Sequence, residues 1–261
     1  MIHWRTHFFP AVAAVLLAGL PLYPQTPPLQ QPAAPAPPKP LPAFYRNLIV
    51  IDPAHGGNDS GAHLSNSTSE KETTLAFAQR LKPALVAQGF TVITTRDSDP
   101  SDELTTDQRA GTSNHARPLA CIVLHAAPAG SGIHIFSSSL PAESVSPGRA
   151  LPWNKAQAPV LPMSLRLANE IGLALNATNL PAQLFRASVP PLDNLTCSAI
   201  AIELAPLKSA SGSSTPATDT SYQQRAVNAI AAGIASFRTH NAPPPSPATS
   251  PATAPRPGAT P

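Results

Sequence analysis

Three apolar segments of this sequence each end in a side chain that can bind a metal ion or transfer a proton. His55 follows the run "LIVIDPA", His125 ends "CIVLH" and Glu203 ends "AIAIE". Two histidines and one glutamate, here Glu70 at the beginning of a helical segment, are a known ligand set for catalytic zinc. The residue types therefore predict His55, Glu70 and His125 as ligands of Zn²⁺, which would acidify water and polarise a carbonyl group. Glu203 would then take the proton from water and pass it to a leaving amine.

Taken singly, each of these residues also has a structural explanation. Histidines at strand ends often only form hydrogen bonds, and a glutamate at a helix start interacts favourably with the helix dipole. The shared placement of His55, His125 and Glu203 at the ends of predicted strands is what favours a catalytic site.

The elements that must position these residues follow from the hydrophobic pattern. We predict strands over residues 47–52, 90–96, 120–126, 132–138 and 199–205, and helices over 70–88, 106–116, 164–176 and 221–240. Several strands are continuous apolar runs, which is typical of strands buried on both faces. The alternation of strands and helices predicts an α/β fold, with a mainly parallel sheet covered by helices on both faces. Ligands of such sheets bind outside the carboxyl ends of the strands.

Capping and proline signals refine the helix boundaries. Ser69 and Glu72 form the pattern of a capping box at the start of the first helix, and Ser221 and Gln224 repeat it at the last helix. If Glu72 serves the cap, Glu70 is free for another role. Pro83 lies inside the first helical pattern and should kink or shorten that helix.

The two ends of the chain differ in composition from its middle. Residues 1–22 contain an apolar run of about 15 residues, shorter than the ~20 of a membrane span, and predict an export signal or an N-terminal anchor. Residues 23–43 are a Pro-rich linker and residues 241–261 a disordered Pro/Ala/Thr-rich tail. The remaining 44–240 form a single catalytic domain. We expect an exported protein of the periplasm or cell envelope, with no membrane span in the catalytic domain.

The charge balance does not indicate a nucleic-acid partner. The chain has 17 Lys and Arg residues and 14 Asp and Glu residues. Three of the basic residues, Arg5, Lys39 and Arg256, lie outside the predicted domain. The domain itself is therefore balanced and contains no basic stripe, so we expect no nucleic acid to bind.

The cysteines and the other histidines receive no catalytic role. Cys121 and Cys197 can pair if the protein is exported, or remain as two buried free thiols. Cys121 lies four residues before His125 on one strand, about 13 Å away at ~3.3 Å per residue, so the two cannot share a metal. Histidines that do not end a predicted strand are set aside: His63, His115 and His134.

Several stretches together resemble a known family. They are "VIDPAHGGNDSGA", "SEKETTLAFAQRLKPAL", "GFTVITTRDSD", "CIVLHA", "GIHIF" and "IELAP". The resemblance is to the zinc-dependent N-acetylmuramoyl-L-alanine amidases of bacterial cell walls, the Amidase_3 type. It implies a mainly parallel sheet of about six strands and hydrolysis of the amide between N-acetylmuramic acid and L-alanine in peptidoglycan. On the matching positions it implies three zinc ligands, His55, Glu70 and His125, and a catalytic glutamate, Glu203.

Further positions agree with the family pattern or depart from it. Arg96, Arg109 and Asn114 match family residues near the site. Ala54 stands where the family usually has glycine, which predicts a stiffer loop. Ala127 stands where the family usually has asparagine, so a polar side chain near the metal is missing.

Three functions are compatible with this pattern. The first is an exported zinc amidase with peptidoglycan as its partner, with or without an activator protein. The second is a non-catalytic peptidoglycan-binding protein on a decayed amidase fold. The third is a zinc peptidase that cuts within the stem peptide.

Overall fold

The computed structural model describes residues 47–144, 150–209 and 211–242. The predicted export signal or anchor (1–22), the linker (23–43) and nearly all of the tail (241–261) lie outside the described residues. Among the residues that are described, no helix is both long and apolar enough to cross a bilayer.

Six strands form the central sheet, in the order β2-β1-β3-β6-β4-β5. They are β1 (Leu48–Pro53), β2 (Thr91–Thr94), β3 (Ala120–Ala126), β4 (Ile133–Ser138), β5 (Ala182–Ala187) and β6 (Ser198–Leu204). Strands β2, β1, β3 and β6 are parallel, whereas β4 is antiparallel to β6 and β5 is parallel to β4. The predicted mainly parallel sheet of about six strands is therefore confirmed. Two further short strands, β7 (Leu207–Lys208) and β8 (Ser214–Thr215), pair outside it.

Four helices cover the two faces of the sheet unequally. They are α1 (Glu70–Ala87), α2 (Thr106–Ala116), α3 (Leu161–Ala177) and α4 (Thr220–His240). Neighbouring residues of β1 point into different cores: Ile49 packs with side chains of α1, α3 and α4, and Val50 packs with Ala110 of α2 and with Leu192. Both faces of the strand are buried, which explains its continuous apolar run.

Two details of the helices differ from the sequence prediction. Of the two effects predicted for Pro83, a kink or a shorter helix, the shortening does not occur, because α1 continues to Ala87. The fully buried Leu85 packs in the core beyond the proline, and this burial offsets the lost backbone hydrogen bond. At α4 the cap is Asp219, whose carboxylate accepts a hydrogen bond from the Tyr222 amide at 2.7 Å, so the predicted capping box at Ser221 is wrong.

A disulfide joins Cys121 of β3 to Cys197, the residue before β6. Their Cα atoms are 6.1 Å apart, and both residues are buried in the core beneath α2. Of the two alternatives that the sequence left open, the structure shows the pair. The bond ties together two neighbouring strands, one carrying His125 and the other Glu203.

Candidate metal centre and active site

The strand register brings the predicted site residues to one edge of the sheet. His125 on β3 lies directly beside Glu203 on β6. Strand β1 runs in the same direction beside β3, so His55, two residues after β1, reaches the same edge. Glu70 is the first residue of α1, and its carboxylate lies between the two imidazoles.

The spacing of the donor atoms fits one metal ion. Glu70 Oε2 lies 3.1 Å from His55 Nε2, and Glu70 Oε1 lies 2.9 Å from His125 Nδ1. One ligand atom from each residue falls within 4.8 Å of the others. Ligands bound about 2.0–2.1 Å from a tetrahedral zinc ion stand ~3.3 Å apart, so this cluster of nitrogen and oxygen donors has the size and chemistry of such a site.

Backbone amides hold the Glu70 carboxylate in its charged form. The amide of Ala62 donates to Oε2 at 3.0 Å and the amide of Ala126 donates to Oε1 at 3.1 Å. Burial alone would raise the pKa of Glu70, but the hydrogen bonds with His125, His55 and these amides keep that pKa well below its usual range. The side chain is therefore a carboxylate at neutral pH, as a metal ligand must be.

His55 is oriented by a second carboxylate and by a tight backbone turn. Its Nδ1 lies 2.7 Å from Asp59 Oδ2, which leaves Nε2 facing Glu70. Burial lowers the pKa of His55, but the hydrogen bonds with Glu70 and Asp59 outweigh it, and the net shift is upward. A Cβ at Gly61 would stand 2.7 Å from both His55 Cδ2 and Glu70 Oε2, so only glycine fits beside this pair.

The backbone of His55 is left-handed, with φ of 65°. Its carbonyl accepts a hydrogen bond from Arg109 Nη2 at 2.7 Å, and Arg109 Nη1 also pairs with the buried Asp52 at 2.6 Å. Arg96 donates to the carbonyl of Ala54 at 3.0 Å. Both family-matching arginines thus hold the chain that carries the first histidine. Ala54 itself is not among the residues with positive φ, so alanine is accommodated there.

His125 is less well supported than His55. Its Nε2 is buried and has no hydrogen-bond partner among the described residues. Metal-binding histidines usually donate their second ring nitrogen to a partner. This finding accords with the apolar Ala127, which stands where the family usually has asparagine.

Glu203 lies outside the candidate metal-binding group, which consists of His55, Glu70 and His125, and contacts a histidine that the sequence analysis set aside. Glu203 Oε1 lies 2.8 Å from His134 Nδ1. The sequence pattern did not single out His134 because the residue pattern of β4 does not show the direction of the strand. The short connection 127–132 could have identified it. A parallel crossover needs about a dozen residues or more, so β4 must run antiparallel to the strand before it. Its first residues lie beside the last residues of β6.

A cleft of about 270 Å³ opens beside the two imidazoles. The site residues that line it are His55, Asp59, Arg109 and His125, and its walls are the segments 103–106 and 189–190. A substrate in this cleft would lie against His55 and His125, two of the candidate metal ligands. The other two histidines that were set aside, His63 and His115, are exposed and are not among its lining residues.

Known proteins share this architecture. The family model described as N-acetylmuramoyl-L-alanine amidase matches residues 49–236. An N-acetylmuramoyl-L-alanine amidase structure from Mycobacterium smegmatis has a TM-score of 0.57 and 20% identity, covering 76% of this chain and 99% of that one. The catalytic domain of an amidase from Bacillus (Paenibacillus) polymyxa has a TM-score of 0.54 and 21% identity, covering 73% and 97%.

Two curated relatives match short segments of the chain. The amidase AmiC of Neisseria meningitidis is 41% identical over 54 residues, which are 21% of this chain and 13% of that protein. A germination-specific amidase of Bacillus subtilis is 46% identical over 52 residues, 20% of this chain and 22% of that protein. The chain thus matches less than a quarter of the length of either relative.

Proposed function

The chain belongs to the N-acetylmuramoyl-L-alanine amidase family, and from this premise we propose that it hydrolyses peptidoglycan. The bond cut would be the amide between the lactyl group of N-acetylmuramic acid and L-alanine of the stem peptide. The observation that carries the proposal is the position of Glu70 between His55 and His125, at the sheet edge that also bears Glu203.

We propose that His55, Glu70 and His125 hold one Zn²⁺ ion. When bound, zinc supplies a Lewis acid that polarises a carbonyl and makes water more acidic. Asp59 keeps the His55 ring in the orientation that presents Nε2 to the group. Glu70 contributes its negative charge, which the amides of Ala62 and Ala126 stabilise.

In this proposal Glu203 performs the proton transfers. It is separate from the metal-binding group, and its side chain is 26% exposed, so water can reach it. Its carboxylate takes the proton of the attacking water and then gives it to the leaving amine of L-alanine. The scissile amide would lie in the cleft beside His55 and His125, between the segments 103–106 and 189–190.

We also propose that the protein acts outside the cytoplasm. The apolar run in residues 1–22 fits an export signal. The buried disulfide between Cys121 and Cys197 supports the same location, because such bonds persist in oxidising compartments.

Digestion of purified sacculi by the full-length chain tests the function. With zinc, mass spectrometry should find released peptides that begin with L-alanine, and a chelator should stop their release. If L-alanine stayed on the sugar while shorter peptides appeared, the protein would be a peptidase. If the zinc-loaded chain bound sacculi and released nothing, it would be a binding protein.

Three substitutions separate metal binding from proton transfer. His125→Ala should lose both zinc and activity, whereas Glu203→Gln should keep zinc and lose activity. The matched control is His115→Ala, since His115 is exposed on α2 and should be dispensable for both. Near-normal turnover by the Glu203 variant would refute the role given to that carboxylate.

A further inference from the structure

We propose that His134 is a positioning residue for Glu203: its Nδ1–H donates a hydrogen bond that holds the carboxylate in one orientation at the sheet edge that carries His125. This inference rests on the proposed function, because it takes Glu203 as the group that transfers protons. It adds a residue that lies outside the proposed metal-binding group and that the sequence analysis set aside.

Strand pairing places His134 directly against Glu203. The two residues are register partners across β4 and β6, and Glu203 is in turn the register partner of His125 on β3. The three side chains therefore stand in a row on one face of the sheet, at the strand spacing of about 4.8 Å. Glu203 is the middle member, between a proposed zinc ligand and His134.

The hydrogen bond has a defined direction. His134 Nδ1 lies 2.8 Å from Glu203 Oε1. To take a proton from water, Glu203 must be a carboxylate, which can only accept, so the proposed role requires the proton on Nδ1. Among the described residues, His134 is the one side-chain hydrogen-bond partner of Glu203. One carboxylate oxygen is thereby anchored, and the other stays available for water.

The His134 ring is itself fixed by its neighbours. Phe185 meets it edge-to-face at a centroid distance of 5.4 Å, and Phe136 does so at 6.4 Å. Phe136 and Phe185 stack on each other at 5.4 Å. On another side, a Cβ at Gly130 would stand 3.0 Å from His134 Cε1, so backbone packs closely against the ring edge.

These contacts hold the His134 ring in place, and the ring in turn holds the carboxylate that is proposed to transfer protons. A carboxylate at a strand end can adopt several rotamers, and only some place an oxygen within reach of the attacking water. A rigid donor selects one of them, as partner residues do for reacting side chains in general. Losing the donor should therefore lower the rate of the chemical step and leave zinc and substrate binding unchanged.

Three replacements of His134 test this idea. Asparagine places an amide N–H close to the position of Nδ1, glutamine places it nearer to Nε2, and phenylalanine keeps a ring without a donor. We expect His134→Phe and His134→Gln to lower kcat about ten- to a hundred-fold, with KM within about twofold. His134→Asn should stay within about fivefold of the unchanged protein, because it restores the donor.

The measurements are kcat and KM on a soluble muramoyl-peptide, zinc content by elemental analysis, and the melting temperature. The control is His115→Phe, on the exposed surface of α2, which should change none of them. In a Glu203→Gln background, adding His134→Phe should cause no further loss, because residues that act as a unit are not additive.

The outcomes distinguish this inference from the proposed function. A wild-type chain that releases no peptide refutes the function, and the inference with it. An active wild type whose His134→Gln variant keeps its kcat within threefold refutes the inference alone. The inference also fails if His134→Asn is as impaired as His134→Gln, or if the loss of activity follows a loss of zinc.

Discussion

Replacing Arg109 by methionine tests whether a buried guanidinium holds His55, a proposed zinc ligand, in place. Arg109 is 7% exposed, and Asp52, with which it pairs at 2.6 Å, is 3% exposed. Methionine keeps much of the volume and removes the charge and the donors. The Asp52 carboxylate then loses its cation inside the protein, and the carbonyl of His55 loses its donor at 2.7 Å.

Two effects determine how much stability and zinc affinity the Arg109→Met variant loses. Removing one partner of a buried ion pair costs about 3–5 kcal/mol, because the other charge stays buried without compensation. The left-handed backbone of His55 costs ~1–2 kcal/mol, so without Arg109 it should relax in the metal-free variant, and zinc binding would then have to restore it. Most domains have about 5–15 kcal/mol of stability, so the Arg109→Met variant should still fold at 25 °C. Its zinc affinity should fall by about tenfold, since ~1.4 kcal/mol corresponds to a factor of ten.

Urea unfolding of the metal-free protein measures the loss of stability, and a zinc titration measures the loss of zinc affinity. In an Asp52→Asn background no carboxylate is left without its cation. The loss of stability caused by Arg109→Met should therefore be smaller there by more than ~1 kcal/mol. Arg225→Met is the control, because its guanidinium makes an exposed contact with Thr178. The reasoning fails if Arg109→Met loses less than ~1 kcal/mol, or if the loss is the same in both backgrounds.

Three other predictions concern the surroundings of the site. Asp59→Ala should weaken zinc binding about ten- to a hundred-fold, because His55 loses the carboxylate at Nδ1; calorimetry measures this, and unchanged affinity would contradict it. Gly61→Ala should abolish zinc binding, because its Cβ would stand 2.7 Å from the His55 ring; a variant with one full equivalent of zinc would disprove the steric argument. Replacing Cys121 and Cys197 together by serine should lower the free energy of unfolding by about 2–5 kcal/mol; equal urea midpoints would show that the disulfide adds nothing.

Much of the fold could be predicted from the sequence because burial leaves a pattern. The strand that carries His125 and the strand that carries Glu203 are continuous apolar runs, and both were predicted within a few residues. The edge strand β5 was missed because an edge strand need not be buried. Leu184 and Phe185 in its centre are 50% and 40% exposed, so "AQLFRA" does not stand out as a core segment.

The site could be predicted only as far as strand ends show it. His55 and His125 were singled out as candidate ligands because each lies at the end of a strand on the same edge of a parallel sheet, and Glu70 because it begins the helix that follows the first of these strands. His134 lies at the beginning of a strand, and its role depends on strand direction, which side-chain periodicity does not encode. Arg109 was found as a family match, but its contacts with backbone carbonyls depend on the folded loop and leave no periodic signal.

The disulfide determines how the protein would respond to a backbone nick. A protease that cuts between Ser139 and Leu151, which lie between the two cysteines in the sequence, leaves His55, Glu70 and His125 on the amino-terminal fragment. Glu203 is on the carboxyl-terminal fragment, and the crosslink would then be the sole covalent connection between them. In a denaturing gel such a clipped protein would migrate as one species until a thiol reductant is added, and only then separate into two pieces.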